Sequence, residues 1–195
     1  MKTTKADGHW LYFAYGSNLN AGQMGQRCTA AEAIAIARFP NHTIGFFGHS
    51  RTWDGAVATC VPAPGKDLWG VVYKLSLFDG DALDAWQDVR LDGNGAYFHY
   101  PAQVVDCRGT QYNVLLYKKD LLGVPKPPSR EYLDFMVEGA TFHGLPVDYI
   151  ESLRMIATKD ASYRVPRRDR FAPSSLAGAD CSACGDAPLL KTITV

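Results

Sequence analysis

Neither charge is in excess in this sequence, and no long apolar run occurs in it. Its 195 residues include 20 Lys and Arg and 20 Asp and Glu, so the formal net charge at pH 7 is zero. A neutral chain produces no overall field that attracts nucleic acid or an anionic membrane. No stretch reaches the ~20 apolar residues that span a bilayer, and the polar residues 1–8 are unlike a secretory signal. We therefore expect a cytoplasmic protein whose partner is a small molecule, with neither nucleic acid nor a membrane as a partner.

The signatures of metal, disulfide and serine-hydrolase sites are also missing. Five cysteines, an odd number, are scattered along the chain and do not form a disulfide framework. One Cys-x-x-Cys pair, Cys181 and Cys184, lacks the second ligand pair that a structural zinc site needs, and the histidines show no metal-ligand spacing. Ser17 does not lie in a Gly-x-Ser-x-Gly elbow. The sequence therefore predicts no metal and no cofactor, and it disfavours a nucleophilic serine.

Length and composition indicate one globular domain with a hydrophobic core. Hydrophobic residues make up 47% of the chain and charged residues 21%. The apolar periodicity ends near residue 160, where arginines and a linker-like composition follow. We expect a flexible N-terminus at residues 1–8, one domain at 9–160, and an irregular or partly disordered tail at 161–195. The chain is a monomer or a homodimer.

Short strand-like segments precede the helices. Turn signals such as Phe39-Pro-Asn and Pro62-Ala-Pro-Gly separate apolar segments and predict several short strands. Residues 20–28 could form one or two loose helical turns capped by Asn20, but their two glycines disfavour a helix, and we expect an irregular segment. Capping residues predict three helices, which begin at Ser76 or Asp79, at Ser129 and at Pro146. The fold is therefore α+β, with a small antiparallel or mixed sheet that is either open or closed. The predicted strands are residues 10–15, 33–38, 43–47, 53–61, 68–75, 96–105 and 110–117.

The first strand ends in the run Gly16-Ser17-Asn18, which has the composition of a ligand loop. Glycine permits a backbone conformation closed to other residues and lets a ligand approach the main chain. Serine and asparagine add short donors and acceptors, so the loop suits a carboxylate or a phosphate. A simple turn is the alternative.

Four blocks in order carry a resemblance to a known family. They are Tyr12-Phe-Ala-Tyr-Gly-Ser-Asn-Leu, Trp53-Asp-Gly-Ala-Val-Ala-Thr, Trp69-Gly-Val-Val-Tyr-Lys, and a stretch from Pro127-Pro-Ser to Gly144-Leu-Pro. In these blocks the chain resembles the γ-glutamylcyclotransferases, which cleave γ-glutamyl amines and amino acids by cyclising the glutamyl part to 5-oxoproline. The resemblance implies an α+β fold built on a small mixed or antiparallel β-barrel with flanking helices.

The resemblance also implies where the substrate binds. The loop after the first strand would hold the α-carboxylate and the γ-carbonyl of a γ-glutamyl substrate, and a tyrosine after Pro-Pro-Ser would be a further contact. The expected substrate-binding residues are Tyr12, Tyr15, Gly16, Ser17, Asn18, Leu19 and Tyr132.

The catalytic position departs from the pattern of the family. The α-ammonium must lose a proton before it attacks, and the leaving amine must gain one, so a single carboxylate of raised pKa can perform both tasks. The resemblance places a glutamate after Leu83-Asp-x-x, but Gln87 stands there, and Asp88 occupies the position of the glycine that usually follows. Glutamine cannot act as a carboxylate base.

Three alternatives stay open for the catalytic candidates Asp88 and Gln87. Asp88 supplies the carboxylate from a shifted backbone; or Gln87 binds substrate while another group acts on a γ-glutamyl or related acyl compound; or the protein binds such a ligand without turnover.

Overall fold

The computed structural model describes residues 9–90 and 92–167 of the chain. In chain order its elements are β1 (His9–Ala14), a 3-10 turn (Ser17–Leu19), α1 (Ala21–Arg27), β2 (Glu32–Ser50), β3 (Gly55–Ser76), α2 (Leu77–Trp86), β4 (Phe98–Asp106), β5 (Gln111–Lys118), α3 (Arg130–Phe142) and α4 (Val147–Arg154).

The strands close into a mixed barrel in the order β1-β3-β2-β4-β5. β1 pairs antiparallel with β3, where Tyr12 faces Tyr73, and closes the barrel by pairing parallel with β5 at Leu115. The remaining pairs, β2 with β3, β2 with β4, and β4 with β5, are antiparallel. The predicted α+β fold with a mixed barrel and flanking helices is therefore confirmed.

The barrel interior is the hydrophobic core. Phe13, Leu75, Val104 and Leu116 come from four different strands and are fully buried. Removing such side chains from water is the main favourable contribution to folding. Outside the barrel, α3 turns buried residues such as Met136 inward and lies against the 3-10 turn. The core therefore holds the end of β1 and the start of α3 in fixed positions.

β2 and β3 are each one long strand, so the prediction of two shorter strands in each region was wrong. They form a hairpin in which Thr43 faces Val61 and Arg38 faces Trp69. The register shifts between Pro40 and His42, where Asn41 adopts a left-handed conformation with φ of 57°. A proline is compatible with a strand at such a bulge. The turn signal at residues 39–41 therefore marks a bulge inside a continuous strand.

Residues 21–27 form the helix α1, so the prediction of an irregular segment was wrong here too. Asn20 caps the helix, because its side chain accepts a hydrogen bond from the amide of Gln23 at 3.1 Å. Gly22 and Gly25 lie on the exposed side of α1.

The predicted helix caps are confirmed for α2 and α3, which begin directly after Ser76 and Ser129.

The chain after α4 returns to the turn between β2 and β3. The amide and the hydroxyl of Ser162 both donate to Oδ2 of Asp54 at 2.6 Å, and the amide of Arg167 donates to the carbonyl of Thr52 at 2.7 Å. The first part of the predicted tail thus contacts residues 52–54, whereas Cys181 and Cys184 lie outside the described residues. None of the helices in residues 9–90 and 92–167 is long and apolar enough to cross a membrane.

Candidate active site

A cavity of about 270 Å³ opens where β1 ends and the 3-10 turn begins. The loop after β1, the end of α1, the start of β3, the end of α2 and the start of α3 all contribute to its wall. The described residues that line it are Tyr12, Tyr15, Gly16, Ser17, Asn18, Arg27, His49, Ser50, Thr52, Trp53, Val57, Ala58, Trp86, Gln87, Asp88, Ala96, Tyr97, Tyr117, Lys119 and Tyr132.

The structure brings together all but one of the residues that the sequence assigned to a site. The loop from Tyr15 to Asn18 meets Tyr132 from α3 and the pair Gln87 and Asp88 that follows α2. Leu19 is the exception: its side chain is fully buried and is not among the residues that line the cavity.

Gly16 keeps the cavity open by its lack of a side chain. Its φ is −107° and its ψ is −142°, so its backbone is not in the left-handed region. A Cβ at Gly16 would lie 3.6 Å from both the Cβ of Ala58 and the hydroxyl of Tyr132. These are ordinary contact distances, and both neighbours line the cavity. A methyl group would therefore fit sterically, but it would occupy space beside the cavity wall.

Asn18 connects the loop to a tyrosine and an arginine. Its amide nitrogen donates to the hydroxyl of Tyr12 at 2.9 Å, and its amide oxygen accepts from Nη1 of Arg27 at 2.5 Å. The side chain is buried, with 1% of its surface exposed. Asn18 therefore positions the Arg27 guanidinium at the cavity.

Arg27 is a functional candidate that the sequence reasoning missed. Burial lowers the pKa of its guanidinium, which also lies 4.9 Å from the centre of the Trp86 ring. Among the described residues no carboxylate forms an ion pair with it, and the oxygen of Asn18 compensates its charge only in part. A partly desolvated cation without a counterion favours an anionic ligand. Arg27 was not predicted as a site residue because residues 20–28 were expected to be irregular, and it is the helix α1 that places Arg27 beside the loop at residues 16–18.

Three phenols in the wall, those of Tyr15, Tyr97 and Tyr132, form hydrogen bonds with backbone groups. Tyr132 accepts from the amide of Ala58 at 3.3 Å, and Tyr97 donates to the carbonyl of the same residue at 2.8 Å. Burial raises the pKa of Tyr132 to about 12, so this phenol is neutral at physiological pH. The hydroxyl of Tyr15 donates to the carbonyl of Tyr117 and accepts from the amide of Cys60 at 3.2 Å. The Tyr15 hydroxyl is thus engaged within the barrel.

Gln87 and Asp88 differ in how far their side chains are engaged. Gln87 ends α2 and donates its backbone amide to Leu83 at 2.9 Å, but its side chain makes no hydrogen bond to the described residues. Asp88 adopts a left-handed conformation with φ of 50°, which glycine adopts at little cost. Its Oδ1 accepts from Nε of Arg90 at 2.8 Å, and its Oδ2 accepts from the amide of Ala96 at 3.2 Å. Each carboxylate oxygen of Asp88 therefore already accepts one hydrogen bond.

A second cation lines the cavity at Lys119. Its amine donates to the carbonyl of Ala96 at 3.3 Å and lies 4.7 Å from the centre of the Tyr97 ring. Burial lowers the pKa of this amine. Within residues 9–90 and 92–167, no group of three or more His, Cys, Asp or Glu side chains is placed to hold a metal ion.

These features define a class of site: a barrel cavity lined by a short polar loop, by phenols and by a cation that has no carboxylate partner among the described residues, which together suit a small anionic molecule. The model of the AIG2-like family matches residues 67–153. Curated proteins named gamma-glutamylcyclotransferase from Homo sapiens and Bos taurus are each 31% identical to this chain over 160 residues, which covers 80% of the chain and 83% of each relative.

A solved structure described as a gamma-glutamyl cyclotransferase superposes with a TM-score of 0.75 at 32% identity, over 80% of this chain and 93% of that one. The chain belongs to the γ-glutamylcyclotransferase family. The resemblance found in the four sequence blocks is thereby confirmed.

Proposed function

We propose that this protein is an enzyme that releases an amine or amino acid from a small γ-glutamyl compound and forms 5-oxoproline. The observation that carries the proposal is Arg27, a cation that Asn18 holds at the cavity and that has no carboxylate partner in residues 9–90 and 92–167. A γ-glutamyl group supplies the matching anion, its α-carboxylate. The names of the relatives support the same chemistry.

The substrate binds with its α-carboxylate at Arg27 and the loop from Gly16 to Asn18. The surrounding phenols then hold the glutamyl chain folded, which places the α-nitrogen near the γ-carbonyl carbon. A pre-folded substrate has already lost the conformational entropy of ring closure, and this loss is a major part of the barrier to cyclisation.

The reaction transfers protons from one nitrogen of the substrate to the other. The α-ammonium loses one proton and attacks the γ-carbonyl carbon, and the new ring nitrogen then loses a second proton. The leaving nitrogen gains a proton as its bond to the γ-carbon breaks, and the free amine takes another from solvent. Gln87 is suited to donate its amide to the oxyanion on the γ-carbonyl, because its side chain has no partner within the described residues.

Asp88 is one candidate for the group that moves these protons, since it is the acidic residue among the described residues that line the cavity. Each of its oxygens accepts one hydrogen bond, from Arg90 or from the Ala96 amide, and keeps a further lone pair that can take a proton. Replacement by asparagine keeps the shape and tolerates the left-handed backbone. If Asp88 transfers the proton, Asp88→Asn abolishes turnover; a fully active variant removes Asp88 from the mechanism.

The direct test is incubation with a panel of γ-glutamyl amino acids and γ-glutamyl amines while 5-oxoproline is measured. The proposal expects release of 5-oxoproline from at least one member of the panel. No product from any member contradicts the proposal.

The alternative function is binding of a γ-glutamyl-like ligand without turnover, or action on a different acyl amide. The specific observation in its favour is Gln87, an uncharged amide at the position where the family resemblance places a carboxylate. Gln87→Glu separates the two functions. Cyclotransferase activity that appears only in the variant indicates that the cavity still supports the reaction and lacks only the carboxylate at position 87. An inactive variant indicates that the rest of the cavity has also changed.

A further inference from the structure

Three titratable side chains are hydrogen-bonded in series beside the cavity. The hydroxyl of Tyr117 donates to Oδ1 of Asp84 at 2.7 Å, and Nε2 of His99 lies 2.6 Å from the same oxygen. Tyr117 lines the cavity and is buried. The side chains of Asp84 and His99 are 28% and 34% exposed. The series therefore leads from the cavity wall towards solvent.

Neighbouring elements fix this series in place. His99 of β4 and Tyr117 of β5 face each other in the barrel register, and α2 carries Asp84 over the pair. The Tyr117 ring lies 5.2 Å from the ring of Tyr12, whose hydroxyl accepts from Asn18 in the loop. The Trp10 ring packs against His99 at 5.8 Å. The series is thus in contact with the part of the site that we assign to the glutamyl group.

The protonation states follow from the partners. An ionised carboxylate only accepts hydrogen bonds, so both Tyr117 and His99 donate to Asp84. Burial raises the pKa of Tyr117, and the negative charge of Asp84 raises it further, so the phenol is neutral. A neutral phenol that donates to a carboxylate still has a lone pair free to accept a proton from another group.

We propose that Tyr117 is a catalytic residue that exchanges protons with the substrate, and that Asp84 and His99 are positioning residues that make this exchange possible. The inference rests on the cyclotransferase function proposed above. The Tyr117 oxygen accepts a proton from the α-ammonium while its own proton passes to Oδ1 of Asp84. The freed α-amine then attacks the γ-carbonyl carbon.

The same path runs backwards when the intermediate collapses. Asp84 returns its proton to the Tyr117 oxygen, and Tyr117 gives its proton to the leaving nitrogen as the bond between that nitrogen and the γ-carbon breaks. The second proton on the new ring nitrogen leaves to solvent, and the released amine takes one proton from solvent. Asp84 ends ionised and Tyr117 neutral, so the enzyme returns to its starting state.

The relay accounts for the chemistry without a carboxylate at position 87. The Asp88 side chain is half-exposed, and its hydrogen bonds are to Arg90 and to the Ala96 amide, neither of which is a proton-transferring group of the cavity wall. Oδ1 of Asp84 is instead already connected to a residue of the cavity wall.

The test compares Tyr117→Phe with Tyr112→Phe. Tyr112 is a matched control, because it lies on the same strand and also donates to an aspartate, Asp106 at 3.3 Å, but does not line the cavity. General acid and base catalysis contributes ~10²–10⁴-fold. We expect Tyr117→Phe to lower kcat by about this factor with KM changed less than about threefold, and Tyr112→Phe to keep both constants.

Asp84→Asn tests the positioning role and stands in if Tyr117→Phe does not fold. We expect Asp84→Asn to lower kcat by a similar factor and to retain binding of 5-oxoproline. For the wild-type protein we expect a solvent deuterium isotope effect on kcat, and a plot of kcat against the fraction of D₂O should be curved, because two protons move together. A kcat of Tyr117→Phe or Asp84→Asn within about threefold of wild type overturns the relay but not the cyclotransferase function. A wild-type protein that forms no 5-oxoproline overturns both.

Discussion

Among single residues, Arg27 carries the largest part of the proposed recognition. Its guanidinium is partly desolvated, and its polar neighbours are the neutral amide side chains of Asn18 and Gln23. A substrate carboxylate therefore gains a charge-assisted hydrogen bond there, which contributes ~1.5–3 kcal/mol. We expect Arg27→Gln to raise KM for a γ-glutamyl substrate by roughly 10–100-fold. Steady-state kinetics measure this effect. Arg108→Gln is the control, since that side chain is 83% exposed and does not line the cavity; equal losses in both variants contradict the assignment.

Gly16 gives a second prediction for a single residue. Gly16→Ala adds a methyl group at 3.6 Å from Ala58 and Tyr132, so the free protein folds without a clash. The same methyl group lies beside the space that the ligand occupies, and such overpacking costs about 1–3 kcal/mol, or roughly 10–100-fold in affinity. Titration with 5-oxoproline and thermal unfolding measure the two effects. In the control Gly25→Ala the new Cβ meets nothing within 4 Å; unchanged affinity in Gly16→Ala would show that the ligand binds elsewhere.

Among the secondary-structure elements, α3 and the 3-10 turn are in close contact beside the site. A Cβ at Gly139 would lie 2.3 Å from the carbonyl carbon of Leu19 and 2.4 Å from the amide nitrogen of Asn20. Backbone atoms cannot rotate away, so Gly139→Ala must displace the turn or the helix. We expect a loss of about 1–3 kcal/mol in the free energy of unfolding together with weaker binding at the loop.

Denaturant unfolding and ligand titration check this expectation. Asp134→Ala, an exposed change on the same helix, is the control. A Gly139→Ala protein with native stability and native affinity would show that α3 does not position the turn.

The segment after α4 gives a prediction about pH. Hydrogen bonds from Ser162 lower the pKa of Asp54 to about 2, with Lys159 contributing at 3.3 Å. A folded-state pKa below the unfolded value stabilises the protein above the unfolded pKa, near 3.8, and the contribution disappears as the pH falls towards 2. We expect Asp54→Asn to be less stable than wild type at pH 6, with a difference that shrinks below pH 4.

Chemical denaturation at several pH values measures this difference. Asp120→Asn, an exposed change, is the control and should track wild type throughout. A stability difference for Asp54→Asn that does not depend on pH would contradict the role assigned to the ionised carboxylate.

On the scale of the whole molecule, local patterns in the sequence predicted the helix caps and the α+β class, and the family resemblance implied the barrel, but neither predicted the lengths of the strands. Ser76 and Ser129 cap helices because their side chains bond amides only three residues away, which a linear pattern records. Pro40 was taken for a turn because its compatibility with a bulge depends on the partner strand, which the pattern of one segment does not reveal.

The candidate site also contains residues that local sequence patterns predicted and residues that they did not. The loop at residues 15–18 is contiguous, and a motif identified it. Arg27 reaches the site because residues 21–27 form a helix, and the two glycines of this segment argued against a helix. The contact of Asp84 with Tyr117 joins residues 33 positions apart in the chain. Contacts of this kind arise only when the barrel closes.

The measurement that tests the central claim most directly is the product balance from one γ-glutamyl amino acid that the protein consumes. Cyclisation converts the glutamyl part to 5-oxoproline, whereas hydrolysis of the same bond gives glutamate. We predict one 5-oxoproline for each amino acid released, with no glutamate formed. Release of the amino acid together with an equal amount of glutamate would contradict the account, because water and not the α-amine would then be the attacking group.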